Sequence, residues 1–173
     1  MILEIVKYPD PRLALVCEPV KRITPELRKL AADMIETMYQ AEGVGLAAPQ
    51  IGKNIRMLVM DPGWRDQERN ARAIVNPSVE LCGETIISEN EGCLSVPLGY
   101  RAEVPRSSMV RLRGLDLDGN ELDEIVEGFP AIVLQHEHDH LDVWWNAVSN
   151  TPTIGTLGII SLQELIPIRF AGL

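Results

Sequence analysis

The sequence predicts an α+β fold from three observations: an amphipathic helical stretch near the N-terminus, a long run of short β-type segments, and a second helix after them. Grouping of this kind, rather than alternation of strand and helix, is the pattern of antiparallel strands with helices set beside them. At 173 residues, the chain is long enough for one domain with a single sizeable core.

The first helix begins in TPELRKLAADMIETMYQAEG. Thr24 can cap it, Pro25 suits the first helical position, and Glu26 complements the positive end of the helix dipole. Leu27, Leu30, Ala31, Met34, Ile35 and Met38 recur at helical spacing, and Gly43 is a natural stop. Strand candidates follow in IRMLVMD, AIVNPSVEL and ETIISE, with the polar loop DPGWRDQERNAR after the first. MVRLRGLDLDGNELDEIVEG alternates around Asp118-Gly119, a hairpin signal. FPAIVLQHEHDHLD, with Pro130 near its start, is the second helix. Residues 1–142 form the predicted domain. The tail, 143–173, is charge-poor, with only Glu164 and Arg169 charged, and no element is assigned to it.

A hydrophobic fraction of 46% and a charged fraction of 24% describe an ordinary globular chain. The net charge of −9 would repel nucleic acid rather than attract it. No run approaches the roughly 18 apolar residues of a membrane span, and the N-terminus lacks the form of a secretory signal. The cysteines, Cys17, Cys82 and Cys93, are odd in number and too few for a disulfide framework. A cytoplasmic protein without membrane or nucleic-acid partners is the expectation.

All three histidines lie in QHEHDH. On a helix, His136 and His140 share one face and present two imidazoles to one point, as in helical two-histidine metal sites. Glu137 stands where a carboxylate can reach a metal's water without ligating. His138 is turned about 200° around the helix from His136 and is expected to face solvent. Ile132 and Val133, four and three residues before His136, make the same face apolar and suit a hydrophobic cleft. No histidine follows His140, so a third ligand is sought upstream. Cys93 stands there beside Gly92, which permits close backbone approach, and before Leu94, whose amide would point into the site. Cys17 and Cys82 read as small buried hydrophobes, although spacing alone does not choose among the three cysteines. A thiolate and two imidazoles leave a fourth position open, as in catalytic sites. In GVGLAAPQIG, small residues allow close approach and Gln50 offers an amide donor, while a phosphate loop would need a Lys that is absent there.

Together these stretches resemble the peptide deformylase family, whose motifs GxGxAAxQ, EGCxS and HExDH appear as GVGLAAPQ (43–50), EGCLS (91–95) and HEHDH (136–140). The likeness extends over roughly residues 1–142, including YPDPRL and the long first helix. It implies a metal-dependent hydrolase that removes the formyl group from the N-terminal methionine of newly synthesised polypeptides. The implied fold has antiparallel sheets packed around the HExDH helix. Cys93, His136 and His140 would bind one divalent ion: ferrous iron, with zinc, nickel or cobalt able to substitute. Glu137 would act as general base and acid on a metal-activated water, and Gln50 with the Leu94 amide would polarise the formyl oxygen. Val44 and Phe129 join Ile132 and Val133 as expected lining of a methionine pocket, and backbone near Gly45 and Gly99 is expected to pair with the peptide. Glu91 and Arg106 are expected to form a bracing ion pair. Formyl-methionyl nascent chains are the expected partners. A transient ribosome contact is weakened by the tail, where Val143 replaces the family's usual small residue. An H-E-x-x-H metalloprotease and a zinc-stabilised binding module are the competing readings; the first leaves Cys93 unexplained and the second leaves Glu137 idle.

Overall fold

A computed structural model describes residues 1–96 and 101–142. Gly99, Val143 and the tail therefore lie outside the described residues. The order of elements is α1 (Pro25–Gln40), β1 (Gly45–Ala47), β2 (Met57–Met60), β3 (Arg72–Leu81), β4 (Thr85–Glu91), β5 (Ala102–Ser107), β6 (Met109–Leu115), β7 (Glu121–Glu127) and α2 (Gly128–Asp139). Five strands form an antiparallel sheet in the order β1-β2-β3-β6-β7, and β4 with β5 form a second, two-stranded sheet. This is an α+β fold. Helix α2 packs against β5 and against every strand of the larger sheet.

Helix α1 starts as its sequence requires: Thr24 accepts a hydrogen bond from the Leu27 N–H, and Pro25 opens the first turn. Its end differs from expectation. The Gly43 N–H returns to the Met38 carbonyl and the Glu42 N–H to the Tyr39 carbonyl, closing a Schellman turn in which Glu42 takes the left-handed position at φ 55°. Gly43 serves a different need: a Cβ there would lie 2.7 Å from Leu94 Cδ1.

The sheet lies between two cores. Met57 and Val59 of β2 pack with Leu46, Ala73 and Val75 against Ala31, Met34 and Met38 of α1. Leu58 and Met60 turn the other way, joining Ala47, Ile74 and Leu112 against Ala131, Leu134 and Leu141. Burial on both faces explains why all four β2 residues are apolar and buried instead of alternating. Two strands carry little sequence signal. β1 is three residues of Gly, Leu and Ala, and β5 contains Pro105, which paired edge strands tolerate.

Cys17 is buried, as expected, but Cys82 is exposed. It follows β3 where that strand leaves the sheet beside the exposed Leu81, so it has no core to fill. Among the described residues, no helix is long and apolar enough to cross a membrane.

Candidate metal centre

Helix α2 is locked before it reaches the site. The Gln135 side chain accepts from the Ser107 N–H and donates to the Ser107 and Ala131 carbonyls, all at 2.8–2.9 Å, fixing the helix to the end of β5. One turn along, the rings of His136 and His140 stand 5.3 Å apart at 70°. Cys93 comes from the loop after β4, and its Sγ is 3.3 Å from His140 Nε2. Donor atoms of Cys93, His136 and His140 all lie within 4.8 Å of one another. A soft thiolate and two imidazoles converging at that spacing fit a divalent transition metal with an open position.

The ligand histidine His136 is oriented from behind. Its Nδ1 lies 3.1 Å from Glu91 Oε2. Glu91 also receives two hydrogen bonds of 2.8 Å from Arg106, whose third contact is Asp139 at 2.6 Å. Burial alone would raise the Glu91 carboxyl, but Arg106 and His136 outweigh it and hold it down to about 2. Burial likewise pushes Asp139 up, against the pull of Arg106. Burial lowers His140 well below its ordinary value. The same burial acts on His136, yet Cys93 and Glu91 prevail and raise it. The Glu91 contact at Nδ1 leaves the opposite nitrogen of His136 for the metal side, and His140 presents its Nε2 to Cys93.

Glu137 is 5% exposed, and its Oε2 has no hydrogen-bond partner among the described residues. Burial is the main cause of its carboxyl rising from 4.5 to about 7. It sits against β1, where a Cβ on Gly45 would come within 2.4 Å of Glu137 Oε1. Gln50 is equally enclosed. Its Oε1 accepts the Ala47 N–H at 2.8 Å, which turns Nε2 toward Ser95 Oγ (3.2 Å) and Cys93 Sγ (3.5 Å). The N-terminal segment binds both loops of the site: Val6 N–H donates to the Gln50 carbonyl, Tyr8 N–H to Ser95, and Lys7 Nζ to Leu94.

His138 does not face solvent. It is partly buried, with Nε2 3.3 Å from Arg56 and 3.4 Å from Asp142. The chain turns after Asp139, which brings Asp142 back beside the helix end, and the Cys17 N–H fastens that turn at the Leu141 carbonyl. Of the apolar residues expected near the cleft, Val44 and Ile132 are partly buried, whereas Val133 belongs to the buried core and Phe129 is 53% exposed. Ser95 and Asp139 were not singled out from sequence. Both lie inside the motifs, but a serine or aspartate beside a ligand announces its partner only once the loops are folded.

Residues 2–144 match the family description "Polypeptide deformylase". A peptide deformylase of Psychrobacter arcticus is 46% identical over 141 residues, covering 82% of this chain and 75% of that one. The crystal structure of the Thermotoga maritima peptide deformylase superposes with a TM-score of 0.76 at 39% identity, covering 83% of this chain and 93% of that one. A Met-Ala-Ser-bound peptide deformylase of Acinetobacter baumannii gives a TM-score of 0.75 at 37% identity, over 83% and 94% of the two chains.

Proposed function

This chain belongs to the polypeptide deformylase family, and from that premise we propose that Cys93, His136 and His140 hold its metal while Glu137 moves the proton of the hydrolysis. The protein is a metal-dependent hydrolase that removes the formyl group from N-terminal methionine. The observation that carries the assignment of roles is the buried Glu137 carboxylate, whose Oε2 is left without a hydrogen-bond partner among the described residues beside three converging metal donors.

A divalent cation on those donors supplies a Lewis acid able to bring the pKa of a water to about 7. Glu137, buried and with Oε2 unpartnered among the described residues, would accept the proton of a water as the water's oxygen adds to the formyl carbon. It then returns the proton to the departing amine nitrogen, a contribution of roughly 10²–10⁴-fold. Gln50 Nε2 and the Leu94 N–H are the proposed donors to the developing oxyanion. The Gln50 amide is suited to this because Ala47 fixes its orientation in advance. Ferrous iron is the proposed native metal, with zinc, nickel or cobalt able to replace it.

The peptide is proposed to add as a strand to β1. Because the Asp61 N–H bonds to Val44 and the Ala47 N–H to Gln50, the alternation of the ladder turns the Gly45 N–H and C=O to the open edge. The Acinetobacter baumannii relative, bound to Met-Ala-Ser, supports a peptide occupant of this kind. Val44, Ile132 and Phe129 remain the proposed lining for the methionine side chain; Gly99, as a second pairing site, lies outside the described residues, and Val133 contributes from the core behind. Residues 1–142 are the proposed catalytic unit. The reading extends to a cytoplasmic enzyme in transient contact with ribosomes, since its substrate is a newly made chain.

The test is formate release from formyl-Met-Ala-Ser by protein loaded with iron or nickel, beside Glu137→Ala. The native chain should release formate and the variant should lose at least about 100-fold in turnover. Undiminished turnover by the variant would remove Glu137 from the mechanism. Cleavage of internal peptide bonds without formate would favour a protease instead.

A further inference from the structure

The loop after β2 is unused by the chemistry above, yet it grips the chain just before β1. Three successive carbonyls are held from it. Arg65 donates to the Glu42 carbonyl, Trp64 Nε1 to Gly43 at 2.7 Å, and the Asp61 N–H to Val44 at 2.9 Å. The donors are fixed in turn. Trp64 stands edge-on to Tyr39 at 5.4 Å and 74°, and the Arg69 guanidinium lies 4.3 Å over the Tyr39 ring. Tyr39 donates its hydroxyl to Asp61, whose carboxylate also accepts the Asn70 N–H at 2.7 Å. One assembly of aromatic, cationic and carboxylate groups thus joins the end of α1, the loop and the entry to β1.

The segment it holds is closely packed. Gly43 lies against the Leu94 side chain and Gly45 against the Glu137 carboxyl, so a Cβ at either would push that side chain aside. A shift of the Gly43 peptide therefore moves the edge that carries the Gly45 N–H and C=O. Of the three tethers, Arg65 is solvent-exposed and Asp61 is an ordinary ladder bond, while Trp64 supplies a directional N–H to a buried glycine.

The geometry points to Trp64 as a positioning residue for peptide binding: through the Gly43 carbonyl it holds β1 where Gly45 can pair with the substrate backbone. This rests on the strand-addition reading above. Those backbone bonds are made by bound substrate and transition state alike, whereas the contact of Gly45 with Glu137 couples the same edge to the reacting group, so loosening the edge raises KM by more than it lowers kcat.

Trp64→Phe keeps a ring against Tyr39 and removes only the N–H. It should raise KM for formyl-Met-Ala-Ser about tenfold with a smaller fall in kcat, and lower kcat/KM for formyl-methionine amide by a clearly smaller factor than for the tripeptide. The ratio between the two substrates does not depend on the folded fraction, so partial misfolding cannot imitate the effect. Arg65→Gln, on the neighbouring carbonyl, should move the ratio in the same direction by a smaller factor. Equal losses on both substrates would mean a merely structural role, and an unchanged ratio in both variants would mean none; either overturns the proposal. A wild-type enzyme that binds the two substrates equally well sinks strand addition and this proposal with it. Absence of formate from both substrates sinks instead the assignment of the hydrolytic roles.

Discussion

Glu137 concentrates the tension between stability and activity in one side chain. Folding raises its carboxyl from 4.5 to about 7, so the folded chain holds this proton more tightly than the unfolded chain does. Its contribution to the stability of the metal-free protein is therefore most favourable below about pH 4.5 and declines as pH rises to about 7. The full shift corresponds to roughly 3 kcal/mol. Glu137→Gln should stabilise the metal-free protein at pH 8 relative to the native chain, by about 1–3 kcal/mol in urea unfolding, while abolishing most formate release. Gln50→Ala should lower kcat on the order of 10²–10³-fold, and because it strands the buried Ala47 N–H it should also cost about 1–3 kcal/mol in urea unfolding. These residues were legible in the sequence because their types and spacings follow helix geometry and three separate motifs. Ser95 was not, because its link to Gln50 spans 45 residues and has no periodic signature. His138 was misread for a related reason: helical phase sets a direction but cannot reveal that Arg56 and Asp142 wait there.

At the scale of elements, β4, β5 and α2 are joined by Arg106, which holds Glu91 from the first and Asp139 from the last. Arg106 is 7% exposed, so its removal strips the cation from an enclosed carboxylate, Glu91, and from a partly buried one, Asp139. Arg106→Met should cost about 3–5 kcal/mol in denaturant unfolding at pH 7. Arg106→Lys should recover only part of it, since an ammonium cannot match the paired contacts to Glu91. Between β1 and α2 the fit is steric instead. Gly45→Ala forces the Glu137 carboxyl aside and should reduce kcat at least about tenfold, with a stability loss of about 1–3 kcal/mol. Long amphipathic α1, the β6–β7 hairpin and α2 could all be read from periodicity and turn chemistry. β1 could not: three residues give too short a pattern to show period two. β5 was hidden by a proline that only its pairing with β4 makes acceptable.

For the molecule as a whole, metal and fold should be linked, because the donors come from separate parts of the chain: Cys93 after β4, and both histidines on α2. Chelation should end formate release and lower the thermal midpoint, and metal present at 100 times its Kd should restore about 2.7 kcal/mol. His136 is raised by Cys93 and Glu91 in the metal-free chain, so loading at neutral pH should also release protons, measurable with an indicator in weak buffer. The sheet that supports this site ends at β1, and the same outer edge offers itself to any extended chain, including another copy of this one. Its brevity is then a safeguard against self-association. Three residues, with the Ala47 N–H already given to Gln50, leave a short transient visitor room to bind but deny a second sheet the continuous ladder it would need to stack into an aggregate.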